Sequence, residues 1–279
     1  MKIIDFHVHI GRKEHWKEGI HAYQKASGSD FYDRYEELTD PDRFALYLKE
    51  AGIEKAVILP EISPITTGVV SNEYVLDFCR DNDTLVPFCT VNPSLVADPG
   101  REFRNYIRMG ARGVKLYPSY NYFYPNDRAL YPIYEAAVES GLPVLVHTGS
   151  SIFQGSKIKY AEPIHLDEVA ADFPNVVLVM AHGGRGFWYD QAFFLSRIHP
   201  NLYLEVSGLP PKNLLNYFPE MEKNIDKIVY GSDWPGVRTI GCNIDSIKRL
   251  PLSPESLEKL LYANAARLLC RASIVEPRE

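Results

Sequence analysis

Four histidines and one aspartate in this 279-residue chain stand where chemistry is expected, because each ends or interrupts an otherwise apolar run. His7 and His9 lie one residue apart in IIDFHVHIG, His147 ends VLVHTG, His182 ends VMAHGG, and Asp233 lies in VYGSDWP. Side chains alternate along a strand, so Asp5, His7 and His9 are expected on one face, with Phe6 and Val8 on the other, against helices. Neutral imidazole and carboxylate are ligands of zinc, manganese and iron. As separate core groups these residues would each need a buried partner, since an unpaired buried polar group costs about 1–3 kcal/mol. One shared divalent ion would satisfy them together.

Apolar runs at 2–9, 55–61, 85–91, 111–118, 143–149, 176–184, 202–208 and 227–235 read as strands. Most are near-continuous, as in parallel strands covered on both faces. Amphipathic segments lie between them, such as DPDRFALYLKEAG, where Asp40 can cap, Pro41 suits the first turn and Gly52 the end. Others are NEYVLDFCRDN, PGREFRNYIRMG, RALYPIYEAAVESG, LDEVAADFP and SPESLEKLLYANAARLL. Strand followed by helix, about eight times, predicts an α/β fold, a (β/α)8 TIM barrel forming one domain over 1–279. The alternative, a doubly wound dinucleotide-binding sheet, lacks a GxGxxG after the first strand. The polar strand ends then meet at the C-terminal rim, where such barrels place active sites. Two long connections, residues 11–40 and the aromatic SYNYFYPND, rise from the same rim, either as pocket walls or as plain cover for the barrel mouth.

Composition limits the partners. A net charge of −6 and 46% hydrophobic residues advertise no basic face for nucleic acid or an anionic membrane, so a small-molecule substrate is expected. Cys79, Cys89, Cys242 and Cys270 form no CxxC pair and read as packing thiols of a reducing compartment. With no apolar run near the roughly 18 residues of a membrane span and no signal-peptide profile, a cytoplasmic protein is expected. A homodimer is the prior for a soluble enzyme.

DFHVH, GVKLYP, VHTG, AHGG and GSDWP, in that order along almost the whole chain, resemble the amidohydrolase superfamily, and within it the amidohydrolase-2 (aminocarboxymuconate-semialdehyde decarboxylase-like) branch. The resemblance implies a distorted (β/α)8 barrel of the metal-dependent hydrolase type with a divalent metal at its rim. It assigns His7, His9, His147 and Asp233 as metal ligands, Asp233 also as proton acceptor, and His182 as the sixth-strand histidine beside the metal. Zinc is the expected ion, with manganese and iron compatible with the same ligands. Binuclear relatives often carry a carbamylated fourth-strand lysine, the position of Lys115. One ion is favoured over two, which leaves Lys115 to bind a substrate carboxylate or carbonyl.

Such a site activates water for hydrolysis of an ester, lactone or amide, with Asp233 taking the proton and His182 polarising a carbonyl. The same residues could instead decarboxylate an aromatic or enol carboxylic acid. Arg185 is the candidate for gripping a carboxylate, with Tyr117, Trp234, Trp188 and Tyr124 as flat walls. Glu205, if inward, would support a ligand or Lys115, and Asp5 would support the first strand. His15, His21, His165 and His199 are not needed. A non-catalytic metal-binding barrel is the reading outside enzymes, and Asp233 with His182 exceeds what a closed structural site requires.

Overall fold

A computed structural model describes residues 1–270; residues 271–279, part of the expected single domain, lie outside the described residues. The eight expected strands appear, several of them shorter than the apolar runs. They are Ile3–His9, Ile53–Leu59, Leu85–Pro87 with Cys89–Thr90, Val114–Leu116, Pro143–Gly149, Val177–Arg185, Leu202–Glu205 and Ile228–Val229. Their mutual pairings are parallel, and they fall into a three-stranded and a six-stranded ladder. Two seams separate the ladders and give the barrel its distortion. At the third strand, Phe88 N donates to Ile58 O, and the next amide, Cys89 N, donates to Gly113 O. At the other seam, Phe6 N donates to Tyr230 O, Asp233 N to His7 O, and His9 N to Trp234 O.

Two buried layers follow from strand alternation. Ile58, Val114, Leu116, Val144, Val146, Leu178, Met180, Leu202 and Leu204 pack outward on helices such as Pro41–Glu50, Pro99–Arg108 and Tyr131–Ser140. Phe6, Val57, Leu59, Phe88, Leu145, Val179, Ala181, Tyr203 and Val229 fill the barrel interior. A Cβ on Gly113 would lie 2.4 Å from the Phe88 ring, so a glycine is required where that ring turns inward.

The first strand departs from simple alternation. Its register with the second strand shifts between Asp5 and Val8, because Asp5 pairs with Ala56 and Val8 with Ile58. Three steps on one side against two on the other make a bulge. Phe6 therefore packs in the barrel interior rather than on the helices, edge-on to Phe88 with ring centroids 5.9 Å apart. His7 also lines the cavity, and Asp5 leaves the histidine face. The Asp5 carboxylate instead accepts from His7 N at 3.1 Å and from Ser232 N at 2.9 Å, tying the first strand to the eighth.

Asp40 caps Pro41–Glu50 as expected, accepting from Arg43 N at 3.0 Å. The long first connection is largely structured, containing helices Glu18–Ala26 and Tyr35–Leu38. Helices Tyr189–Ile198 and Ile240–Lys248 complete repeats whose periodicity the sequence reading does not single out. The expected helix at 253–269 is divided into Pro254–Glu258, a wider turn at Lys259–Ala263, and Asn264–Cys270. Leu260 O accepts from Tyr230 N at 3.0 Å, so the amide just past the eighth strand competes for a helix carbonyl at that turn. Cys79 and Cys89 are buried, Cys242 and Cys270 exposed, and all four are free. No helix among the described residues is long and apolar enough to cross a membrane.

Candidate active site

A cavity of about 270 Å³ opens at the C-terminal ends of the strands, and His7, His9, Lys115, His147, His182, Arg185 and Asp233 all line it. Two local devices aim these side chains. His182 and Asp233 adopt left-handed φ of 62° and 63°, a conformation that costs a non-glycine residue about 1–3 kcal/mol. Around His182 the sixth strand arches: His147 pairs with Ala181 but Gly149 with Arg185, and Gly183 and Gly184 share the positive φ. The AHGG motif is thus a turn that swings His182 over the cavity after Ala181 has already faced inward.

Three ligand-type atoms converge. His7 Nε2 and His9 Nε2 are 3.2 Å apart, and Asp233 Oδ1 is 3.4 Å from the first and 3.6 Å from the second. Two ligand atoms bound at ~2.1 Å to a tetrahedral ion lie ~3.4 Å from each other, so this triangle has the size of one ion's ligand shell. His147 Nε2 is buried in the same cavity with no hydrogen-bond partner among the described residues. The donor set of three imidazoles and a carboxylate therefore fits a divalent ion. A second triangle, His7 with His182 and Glu205, is already satisfied internally. Ser207 Oγ lies 3.0 Å from His7 Nδ1, 2.9 Å from His182 Nδ1 and 2.7 Å from Glu205 Oε2.

Electrostatics keep the imidazoles neutral. Burial, reinforced by the Lys115 ammonium, holds His7 and His147 well below the usual histidine range and brings His9 down to about 3. For His182 burial acts first and the Arg185 guanidinium second. His182 Nδ1 lies 3.0 Å from Ser207 O, a carbonyl that only accepts, so Nδ1 carries the proton and Nε2 the lone pair. Burial raises Asp233, opposed by Arg185 and Lys115. Burial also lowers Lys115, whose Nζ has no hydrogen-bond partner among the described residues and lies 5.2 Å from the Tyr117 ring centroid.

Arg185 is gripped from one side. Its Nε and Nη2 donate to Ser150 O at 3.2 and 3.0 Å, while Nη1 faces Asp233 Oδ2 at 4.0 Å. Tyr117 lines the cavity, stacked on Tyr120 at 5.8 Å, with its hydroxyl donating to Pro60 O at 2.6 Å. Trp234 is not among the lining residues. It is fully buried on the other side of its strand end, against Phe31, Phe44 and Tyr47, and its indole N–H donates to Asp30 Oδ1 at 3.0 Å. Because Asp233 takes the inward place, its neighbour Trp234 points away. Tyr124 packs on Tyr160 and His165, and Trp188 immediately precedes Tyr189–Ile198, the helix after the sixth strand; neither lines the cavity. His15, His21, His165 and His199 also lie outside it, His199 being bound to Asp167 at 2.7 Å.

Several lining residues escape the sequence reading. Trp16, Ile20, Tyr23 and Gln24 come from the first connection, Tyr120 and Phe153 from later ones. Glu61 is the most informative. It extends the inward register of Val57 and Leu59 into a hairpin of Glu61–Ser63 with Gly68–Val70. It is a charged residue ending the apolar run KAVILPE, the same signal that marks His147 and Asp233.

Comparison with known proteins places this geometry. Residues 4–271 match the amidohydrolase family model. Among curated proteins none matches the sequence. An uncharacterised TIM-barrel protein from Bordetella bronchiseptica superposes with a TM-score of 0.80 at 24% identity, covering 98% of this chain and 100% of that one. A dihydroxybenzoic acid decarboxylase from Polaromonas sp. JS666, with bound manganese and the inhibitor 2-nitroresorcinol, gives 0.72 at 16% identity, covering 96% of each chain. A probable 2-pyrone-4,6-dicarboxylic acid hydrolase from Acinetobacter baumannii gives 0.67 at 17%, covering 96% of this chain and 99% of that one. These likenesses establish the TIM-barrel fold, and with every motif-bearing strand end inside the matched range, the chain belongs to the amidohydrolase family.

Proposed function

We propose that this protein is a metal-dependent hydrolase that cleaves an ester, lactone or amide bond of a small, carboxylate-bearing molecule. The observation that carries the reading is the convergence of His7 Nε2, His9 Nε2 and Asp233 Oδ1 within 3.6 Å of one another, beside the unpartnered His147 Nε2. These four residues hold one divalent ion, zinc in our reading, and the ion when bound supplies Lewis acidity toward water and a substrate oxygen. Asp233, raised by burial, accepts the proton of the attacking water and returns it to the leaving group. His182, with its Nδ1 proton committed to Ser207 O, presents Nε2 as an acceptor that orients that water. Polarising the carbonyl then falls to Lys115, whose buried ammonium has donors to spare. Arg185 Nη1 receives the substrate carboxylate, and the stacked Tyr117 and Tyr120 form the flat wall. Metal-dependent release of acid from esters, lactones or amides tests the reading. Asp233→Asn is expected to lower kcat by about 10²–10⁴; unchanged turnover would contradict the assignment.

A second reading, decarboxylation of an aromatic or enol carboxylic acid, is favoured by the same Arg185 and by the decarboxylase among the similar folds. Carbon dioxide release without acid release from any ester, lactone or amide would select it. Both readings require Arg185→Ala to raise KM strongly.

A further inference from the structure

We propose that Glu61 and Glu205 are positioning residues for the two first-strand histidines, Glu205 by a hydrogen bond to His7 Nδ1–H and Glu61 as the carboxylate facing His9 Nδ1–H, so that each Nε2 lone pair faces the ligand cluster. The proposal rests on the metal-centre reading above. His7 Nδ1 lies 3.1 Å from Glu205 Oε2, and Glu205 is completely buried. That carboxylate is itself immobilised, accepting from Ser207 N at 2.6 Å and Ser207 Oγ at 2.7 Å. A Cβ on Gly231 would come within 2.2 Å of Glu205 Oε1, so glycine stands just past the eighth strand where the carboxylate presses on the chain. On the other side of the cluster, His9 Nδ1 is buried without a hydrogen-bond partner among the described residues. The carboxylate facing it is Glu61, with Oε2 at 3.8 Å and Oε1 accepting from the Thr67 hydroxyl.

The arrangement solves a specific problem. Two imidazoles whose Nε2 atoms are 3.2 Å apart can satisfy each other, one donating Nε2–H to the other's lone pair. That neutral pair would present no lone pair to an ion. Glu205 hydrogen-bonded to His7 Nδ1, and Glu61 facing His9 Nδ1 from 3.8 Å, favour both protons on the far side and leave both Nε2 atoms as acceptors, while also raising ligand basicity. The hairpin after the second strand and the end of the seventh strand thus serve equivalent roles on opposite sides of one site.

The test uses the full-length chain stripped of metal, titrated with Zn²⁺ against a chromophoric chelator. A glutamine can donate its amide to Nδ1 and drive the proton to Nε2. Glu205→Gln is therefore expected to weaken Zn²⁺ binding about 10–100-fold and Glu61→Gln about tenfold. Both variants should keep the metal-free unfolding midpoint and shift the visible absorption of the Co²⁺-loaded protein. Wild-type affinity in both variants would overturn the proposal, as would an affinity loss matched by an equal loss of metal-free stability, which marks a structural role. Should Glu205→Gln fail to fold, Glu61→Gln decides alone. Absence of Zn²⁺ binding by the unaltered chain would instead overturn the metal-centre reading, and this proposal with it.

Discussion

Trp234 and Glu61 show how far single residues can be read from their neighbours. GSDWP places a carboxylate and an indole side by side, and adjacent positions alternate faces unless a bulge or arch intervenes, as it does at Phe6–His7 and Ala181–His182. Asp233 takes the inward place, and Trp234 becomes a core aromatic with a buried hydrogen bond to Asp30. Trp234→Phe is accordingly expected to leave KM unchanged and to destabilise the fold by about 1–3 kcal/mol through the orphaned Asp30 acceptor and lost volume, measured by denaturant unfolding. A raised KM would restore Trp234 to the substrate site. Glu61 was legible by the rule that found His147, a polar residue ending an apolar run in inward register. Ser207 was not, because a serine two residues past a strand carries no distinctive signal, and its importance lies in its contacts with the distant His7 and His182 together with the neighbouring Glu205.

At the scale of elements, order and type were readable and boundaries were not. Parallel strands buried on both faces leave continuous apolar runs, which is why all eight could be located. The bulge between Asp5 and Val8 was hidden, since IIDFHVH fits strict alternation equally well; only pairing with the second strand reveals the extra residue. The hairpin of Glu61–Ser63 with Gly68–Val70 was hidden for a different reason, being too short to show a period. It nevertheless supports the cavity wall. Gly68 has φ +131°, and a Cβ there would lie 2.1 Å from His15 O and 3.0 Å from Trp16 Cα. Gly68→Ala should therefore destabilise the fold by about 1–3 kcal/mol and raise KM, because Trp16 lines the cavity. Thermal unfolding and steady-state kinetics together check this, and an unchanged KM would detach the hairpin from the site.

For the whole molecule, the two seams of the barrel lie where function makes demands on it. One joins the first strand to residues 230–234, the segments that carry His7, His9 and Asp233. Holding an ion there would clamp the seam, so metal binding and stability should be linked. Zn²⁺ at about 100 times its Kd is expected to add about 2.7 kcal/mol to unfolding, and a chelator should remove it. The barrel, its rim and the proximity of His7, His9, Lys115, His147, His182, Arg185 and Asp233 there were accessible from residue type and order. The substrate was not, because the connections carrying Trp16, Tyr23, Tyr120 and Phe153 give no periodic signal of which side chains turn inward. The most direct test is elemental analysis of the purified protein beside a His7→Ala/His9→Ala variant. One divalent ion per chain, absent from the folded variant, is the predicted result; no bound ion, or equal metal content in the variant, would contradict the account.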